Sequence, residues 1–178
     1  MPLANVNSPR GFTLFRSGGK REPKRVRREV AASRGTTLMI GDAYVDAGDG
    51  TVARSTSNAD VIIGIVEGID VNPLPAAPNG SASQDYIAAA DAGAIIGIED
   101  DDAEFAVQID TCAIPADLGS DCELVDTAGS VPLRQSRQSV HLGASQFRLM
   151  DLVRNTADNA AGAFAKVVVR LLHTQQMD

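Results

Sequence analysis

The sequence predicts an all-β protein, a small β-barrel or sandwich of the β-tulip or SH3-like kind, with an extended basic arm at its N-terminus. Three observations carry this. Short runs rich in Val, Ile and Thr recur from residue 36 to the C-terminus, separated by Gly and Asp turns. Helical signals are thin, confined to an alanine-rich stretch at 84–92 and to residues 151–165, where Asn155, Asn159 and Gly162 interrupt good helix formers. Charge is also divided along the chain: residues 1–34 sum to +7, residues 35–133 to -17 and residues 134–178 to +3, within a net charge of -7.

Taken in order, residues 1–34 contain Pro2, Pro9, Pro23 and the Gly18-Gly19 pair without a period of 2 or 3.6, so this segment builds no core alone. It is expected to be an arm that docks on an acidic partner or on a neighbouring copy, removable through residue 28 without unfolding the rest. Residues 35–178 are then a single β-rich domain. Within it, residues 36–40 form a short strand and Gly41-Asp42 a turn. Residues 43–45 and 51–53 form a hairpin around Ala47-Gly48-Asp49-Gly50. The run 60–71, DVIIGIVEGIDV, is a buried, bent strand with glycines at 64 and 68. Residues 72–85 hold three prolines and Asn79-Gly80 and must be a surface loop. Further strands are expected at 94–99, 104–109, 121–125, 147–153 and 164–172. In the last of these Phe164, Lys166, Val168 and Arg170 face away from Ala165, Val167 and Val169.

A chain of 178 residues and 18.6 kDa is one ordinary domain. With 44% hydrophobic and 22% charged residues it is neither disordered throughout nor fibrous. Five Phe, two Tyr and no Trp imply an aliphatic core and leave few platforms for stacking single-stranded bases. The longest apolar runs, 61–66 and 167–172, are strand-length and far short of the ~20 residues that span a bilayer. The N-terminal residues lack the charged-then-apolar order of a secretory signal, which makes cytoplasmic synthesis the expectation. Cys112 and Cys122 form no CxxC motif and read as two reduced, buried thiols.

The templates of catalysis fail one by one. Gly18-Gly19-Lys20 is followed by Arg21 where a phosphate loop needs Ser or Thr. Gly143-Ala144-Ser145-Gln146-Phe147 lacks the closing Gly of a nucleophile elbow. His141 and His173 stand alone, and the acidic run 99–104 is contiguous, without the alternating oxygens and central glycine of a calcium loop. No catalytic residue, cofactor or metal site is therefore expected, and the carboxylate run reads as a solvated turn. An unrecognised hydrolase site is the weakest of the readings. Nucleic-acid binding by the nine basic residues of the arm is the alternative function, opposed by the -17 body. Docking of the arm on carboxylates of another protein copy accounts for both charge blocks.

Three sets of strings resemble the decoration, or cement, proteins of tailed-bacteriophage capsids. Residues 5–12, NVNSPRGF, are similar to the opening of such head proteins. Residues 34–43 with Asp49-Gly50-Thr51-Val52 and 62–68 resemble their G-D, D-G-T and I-G progression. Residues 102–110, 154–162 and 165–167 look like their later segments. The resemblance implies a non-enzymatic virion protein on the outer capsid surface, made in the host cytoplasm, bridging neighbouring major capsid proteins. It also implies a homo-oligomer, a trimer more than a dimer, with terminal arms along the shell and no membrane partner. The basic insert 20–25 departs from the smallest members. On this reading Arg10, Phe12, Phe15, Arg25, Arg27 and Arg28 are the capsid contacts of the arm, the phenylalanines as apolar anchors and the arginines as bidentate partners of carboxylates.

Overall fold

β-Branched and aliphatic runs punctuated by Gly and Asp fold into thirteen strands, with no helix among the described residues. The computed structural model describes residues 9–16, 22–70, 85–114, 116–130, 132–143, 146–153 and 159–172. A six-stranded sheet runs in the order β1 (Thr13–Arg16), β9 (Glu104–Gln108), β13 (Lys166–Leu171), β12 (Phe147–Leu152), β10 (Asp121–Val125), β11 (Ser139–Leu142). A five-stranded sheet runs β2 (Arg25–Val30), β8 (Gly93–Ile98), β6 (Gly64–Asp70), β4 (Ala43–Asp46), β5 (Val52–Arg54). A small third pair joins β3 (Leu38–Met39) to β7 (Tyr86–Ile87). Every ladder is antiparallel.

Of the two expected architectures the sandwich is realised, because neither large sheet closes on itself by a ladder. Both curl. β11 returns towards β9 through a single parallel bridge, Ile109 to Val140, and β2 comes back alongside β5.

Alternation across the five-stranded sheet sets two cores. Ala43, Ile65 and Ile98 face the larger core, shared with Phe105, Phe147, Leu149, Val167 and Val169 of the six-stranded sheet. Their neighbours Tyr44, Val66 and Ile95 face a second core with Val30, Leu38, Val52, Ile63 and Ile87. Burial on both faces explains why β6 and β8 are continuous apolar runs rather than alternating ones. Tyr44 is the largest side chain of the second core, and Gly64 and Gly97 make room for it: a Cβ on Gly97 would lie 1.9 Å from its hydroxyl oxygen, one on Gly64 2.5 Å. Neither glycine could have been read from sequence as a packing requirement, since Tyr44 lies on another strand.

The expected strands at 36–40, 43–45, 51–53, 94–99, 104–109, 121–125, 147–153 and 164–172 each overlap an observed one, and β4 and β5 form the expected hairpin. The bend expected in the 60–71 run is a β-bulge, with Glu67 extra between Val66 and Gly68. Cys112 and Cys122 are free and buried, as expected. The proline-rich stretch expected as a loop lies, Asp85 apart, outside the described residues.

The thin helical signals give no helix among the described residues, in keeping with the all-β expectation: residues 86–87 pair with β3, and Asp151 and Leu152 extend β12. Tertiary pairing overrides alanine's weak local preference over so short a stretch. The N-terminal segment is not a separate arm. β1 is an edge strand of the six-stranded sheet and β2 of the five-stranded sheet, so residues 1–28 supply part of each. A segment without periodicity forms strands because the sheet edges β9 and β8 provide the hydrogen bonds it cannot make internally.

Candidate functional site

The glycine-containing strings near residues 11 and 41 meet in space. Gly11 and Gly41 both have positive φ, 70° and 88°. The Phe12 N–H donates to the Gly41 carbonyl at 2.8 Å, and a Cβ on Gly11 would stand 2.4 Å from Ser136 Oγ. This close crossing drops Phe12 into the larger core, 3% exposed, where its ring stacks on Phe147 with centroids 4.8 Å apart. Phe12 is thus a core residue, without the exposed face that an apolar anchor to a partner needs. Phe15 is the opposite case: a register irregularity between Leu14 and Arg16 leaves it outside the ladder, 39% exposed, with the Arg16 guanidinium carbon 5.6 Å from its ring centre.

The arginines named as contacts are mostly engaged on their own chain. Arg25 Nε and Nη2 donate to Glu67 at 2.5 and 2.9 Å. Arg27 Nε donates to Asp70 at 2.7 Å. Arg28 binds Glu99 through two bonds of 2.7 Å, and Glu99 also accepts the Tyr44 hydroxyl at 2.9 Å. Burial, followed by the Glu99 charge, pushes the Tyr44 phenol up from its ordinary range. Arg16 pairs with Glu104, which Arg170 also reaches at 3.0 Å, and Arg34 pairs with Asp49 at 2.5 Å. Hydrogen bonds from the Thr51 hydroxyl and backbone, then from Arg34, hold the Asp49 carboxyl down at about 2. Most of the described arginines of the basic N-terminal block are thus paired with carboxylates of the acidic body of the same chain. Arg10 alone of the four named arginines is exposed without an ion-pair partner among the described residues.

The acidic run is likewise structural. Glu99 and Glu104 are buried against arginines, and Asp100 accepts the backbone N–H of Lys24 and of Asp102, each at 3.0 Å. Among the described residues no group of three or more His, Cys, Asp or Glu side chains is placed to hold a metal. His141 Nε2 stands 2.5 Å from Glu123 Oε1, and His173 lies outside the described residues.

Residues that sequence reading passed over tie the two sheets together. Gln138, fully buried, accepts the Ala43 N–H at 2.7 Å and donates to the Ser55 carbonyl at 2.8 Å. Gln146 accepts the Leu124 N–H at 2.7 Å and donates to the Asp60 carbonyl at 2.7 Å. Arg54 lies between Asp42 at 3.1 Å and Asp126 at 2.5 Å and donates to the Thr127 carbonyl at 2.9 Å. Burial pushes the Asp42 carboxyl up to about 6, opposed by the Arg54 charge and by hydrogen bonds from Ser136 and the Met39 N–H. The one sequence signal was Arg54 itself, the only base in residues 35–133. Glutamine carries no such signal, because its usual place is the surface. No family model, no curated protein and no solved structure matches the chain.

Proposed function

We propose that this chain is a structural, non-enzymatic virion protein that binds the outer surface of a phage capsid as a homo-oligomer and cements neighbouring major capsid proteins. The observation that carries the reading is where the resembling strings fall. Gly11-Phe12 and Gly41-Asp42, far apart in the chain, join through the Phe12–Gly41 hydrogen bond. Ile62 and Ile65 of the third string and Phe105, Val107 and Ile109 of a later one line the same core as Phe12. The strings that resemble decoration proteins thus include residues that lock this fold, which supports the reading. The role itself is physically simple: many weak contacts, repeated over a lattice, add binding energy to a shell under outward pressure.

The contact surface is smaller than the N-terminal segment as a whole. Phe12, Arg25, Arg27 and Arg28 are committed to the fold, so Arg10 and Phe15 remain as contacts. The same pairing weakens the nucleic-acid alternative, since guanidiniums already bound to carboxylates release fewer counterions from phosphates. Co-sedimentation with empty heads that lack the protein tests the proposal. Saturation near a whole-number ratio to capsid protein, with greater resistance of the heads to heat, is expected. Absence of binding, together with salt-sensitive retardation of DNA in the same buffer, would replace this function with the alternative.

A further inference from the structure

Nine of the eleven described arginines form an ion pair with a carboxylate of the same chain. The two without such a pair among the described residues, Arg10 and Arg137, are both exposed. They flank the Gly11–Ser136 crossing, each next in sequence to one of the two residues that touch there. Beside that crossing lies a cleft of about 450 Å³ lined by Pro9, Asp110, Leu133, Arg137, Ser139 and Phe164, among others. Such a volume suits a few side chains of an incoming segment.

The cleft is preformed. Its loop wall, between β10 and β11, is fastened by the Arg54 bonds to Asp126 and Thr127 and by the paired Ser130 and Gln135. The opposite wall is held by the Phe164 N–H on the Asp110 carbonyl at 2.9 Å and by Gln108 Nε2 on the Phe164 carbonyl at 3.1 Å. Phe164 and Arg134 both hold positive φ, 58° and 51°, a costly conformation for side chains of their size. Leu133 at the cleft is 60% exposed, more than any other large apolar residue described. Arg137 at the cleft, without an ion-pair partner among the described residues, stands with an exposed leucine in one lining, a combination of charge selection and apolar anchoring.

We infer that this cleft binds an extended acidic peptide segment of a partner protein, its carboxylates read by Arg10 and Arg137 and an aliphatic side chain packed on Leu133 and Phe164. This deepens the decoration proposal and rests on it only for the partner's identity, an acidic surface segment of the capsid protein. Bare phosphate fits less well, because it offers nothing to Leu133 and Phe164, whereas a peptide brings an aliphatic side chain to them and backbone amides to Asp110.

The test uses the full chain, isotope-labelled, titrated with the acetylated and amidated peptide LDELE and with its uncharged counterpart LNQLQ. LDELE is expected to shift the amide resonances of residues 108–110, 133–139 and 164, with LNQLQ at least tenfold weaker. Arg137→Glu should weaken LDELE at least tenfold and Leu133→Ser several-fold, while Lys24→Glu, an equal charge change elsewhere, leaves it unaltered. Unshifted cleft amides, equal affinity for LNQLQ, or equal displacement by inorganic phosphate at the same concentration would overturn the inference. So would nuclear Overhauser contacts from residues 2–8 to Ser139 or Phe164 in the free protein, since the cleft would then hold its own chain. Head binding separates the two readings. An Arg10→Glu, Arg137→Glu double variant that binds heads like the parent refutes the cleft and spares the decoration role. LDELE binding in the cleft of a protein that binds no heads supports the cleft and removes the capsid as its partner.

Discussion

Phe12→Ala discriminates most sharply between a detachable arm and an integrated strand. The side chain is 3% exposed and its ring stacks on Phe147. Removing it deletes a buried aromatic and leaves a cavity in the larger core, a change that costs about 3–5 kcal/mol. Loss of the aromatic pair, roughly 0.5–1.5 kcal/mol beyond buried area, lies within that range rather than on top of it. Against a total stability on the order of 5–15 kcal/mol for a domain, the variant sits near the edge of folding. With a urea slope of about 2 kcal/mol/M the midpoint falls by roughly 1.5–2.5 M. The assay is equilibrium urea unfolding followed by far-ultraviolet circular dichroism, with Phe15→Ala as the matched control. Phe15, 39% exposed and outside the ladder, is expected to change stability by no more than about 0.5 kcal/mol. Equal midpoints for the two variants would show that the first strand is not part of the cooperative core, and would refute the integrated-strand account.

Three further outcomes follow from the geometry. Gly97→Ala places a methyl 1.9 Å from the Tyr44 hydroxyl oxygen, and overpacking of this kind costs about 1–3 kcal/mol; the double variant with Tyr44→Phe should recover part of the lost urea midpoint, and no recovery would put the clash elsewhere. Asp42, pushed up to about 6 by burial, binds a proton more readily folded than unfolded. Its contribution is fully present below the ordinary carboxylate range near 4 and fades as pH rises through about 6. Asp42→Asn should therefore lower the urea midpoint at pH 4.5 relative to that at pH 7.5, compared with the parent, and an unchanged difference counts against the assignment. Cys112 and Cys122 are buried and free, and burial, then the Asp121 charge, pushes the Cys122 thiol up to about 12. A thiol reagent at pH 8 should label neither quickly in the folded protein and both after unfolding in urea; rapid labelling of Cys122 in the native state would contradict its placement.

Local pattern carried the central strands well. β6, β8, β9, β12 and β13 are dense in β-branched and aliphatic residues, and their Gly and Asp boundaries are turn chemistry that acts over a few residues. The N-terminal strands were illegible for a physical reason. Thr13–Arg16 and Arg25–Val30 carry exposed charges on one side and take their hydrogen bonds from β9 and β8, some 70 to 90 residues away. Their basic charge was visible, but not that its carboxylate partners, Glu67, Asp70, Glu99 and Glu104, belong to the same molecule. Charge blocks in a sequence state complementarity without stating whether it is met within a chain or between chains. For the candidate contacts this decided four of six: Phe12 went to the core and Arg25, Arg27 and Arg28 to ion pairs, leaving Arg10 and Phe15 outside. Arg137 was not singled out at all, because its significance lies in lining the cleft without an ion-pair partner among the described residues.

Composition, strand spacing and turn residues by themselves determined that the chain is all-β and aliphatic in its core, since these follow from short-range propensity and from the burial of apolar side chains. Tertiary structure alone decided that the sheets stay open as a sandwich, that the N-terminal segment closes an edge of each, that Gly64 and Gly97 exist for Tyr44, and that two of the eleven described arginines face solvent without an ion pair among the described residues. Each of those depends on which residues meet across long stretches of chain, and distance along the sequence holds no record of such meetings until the sheets have formed.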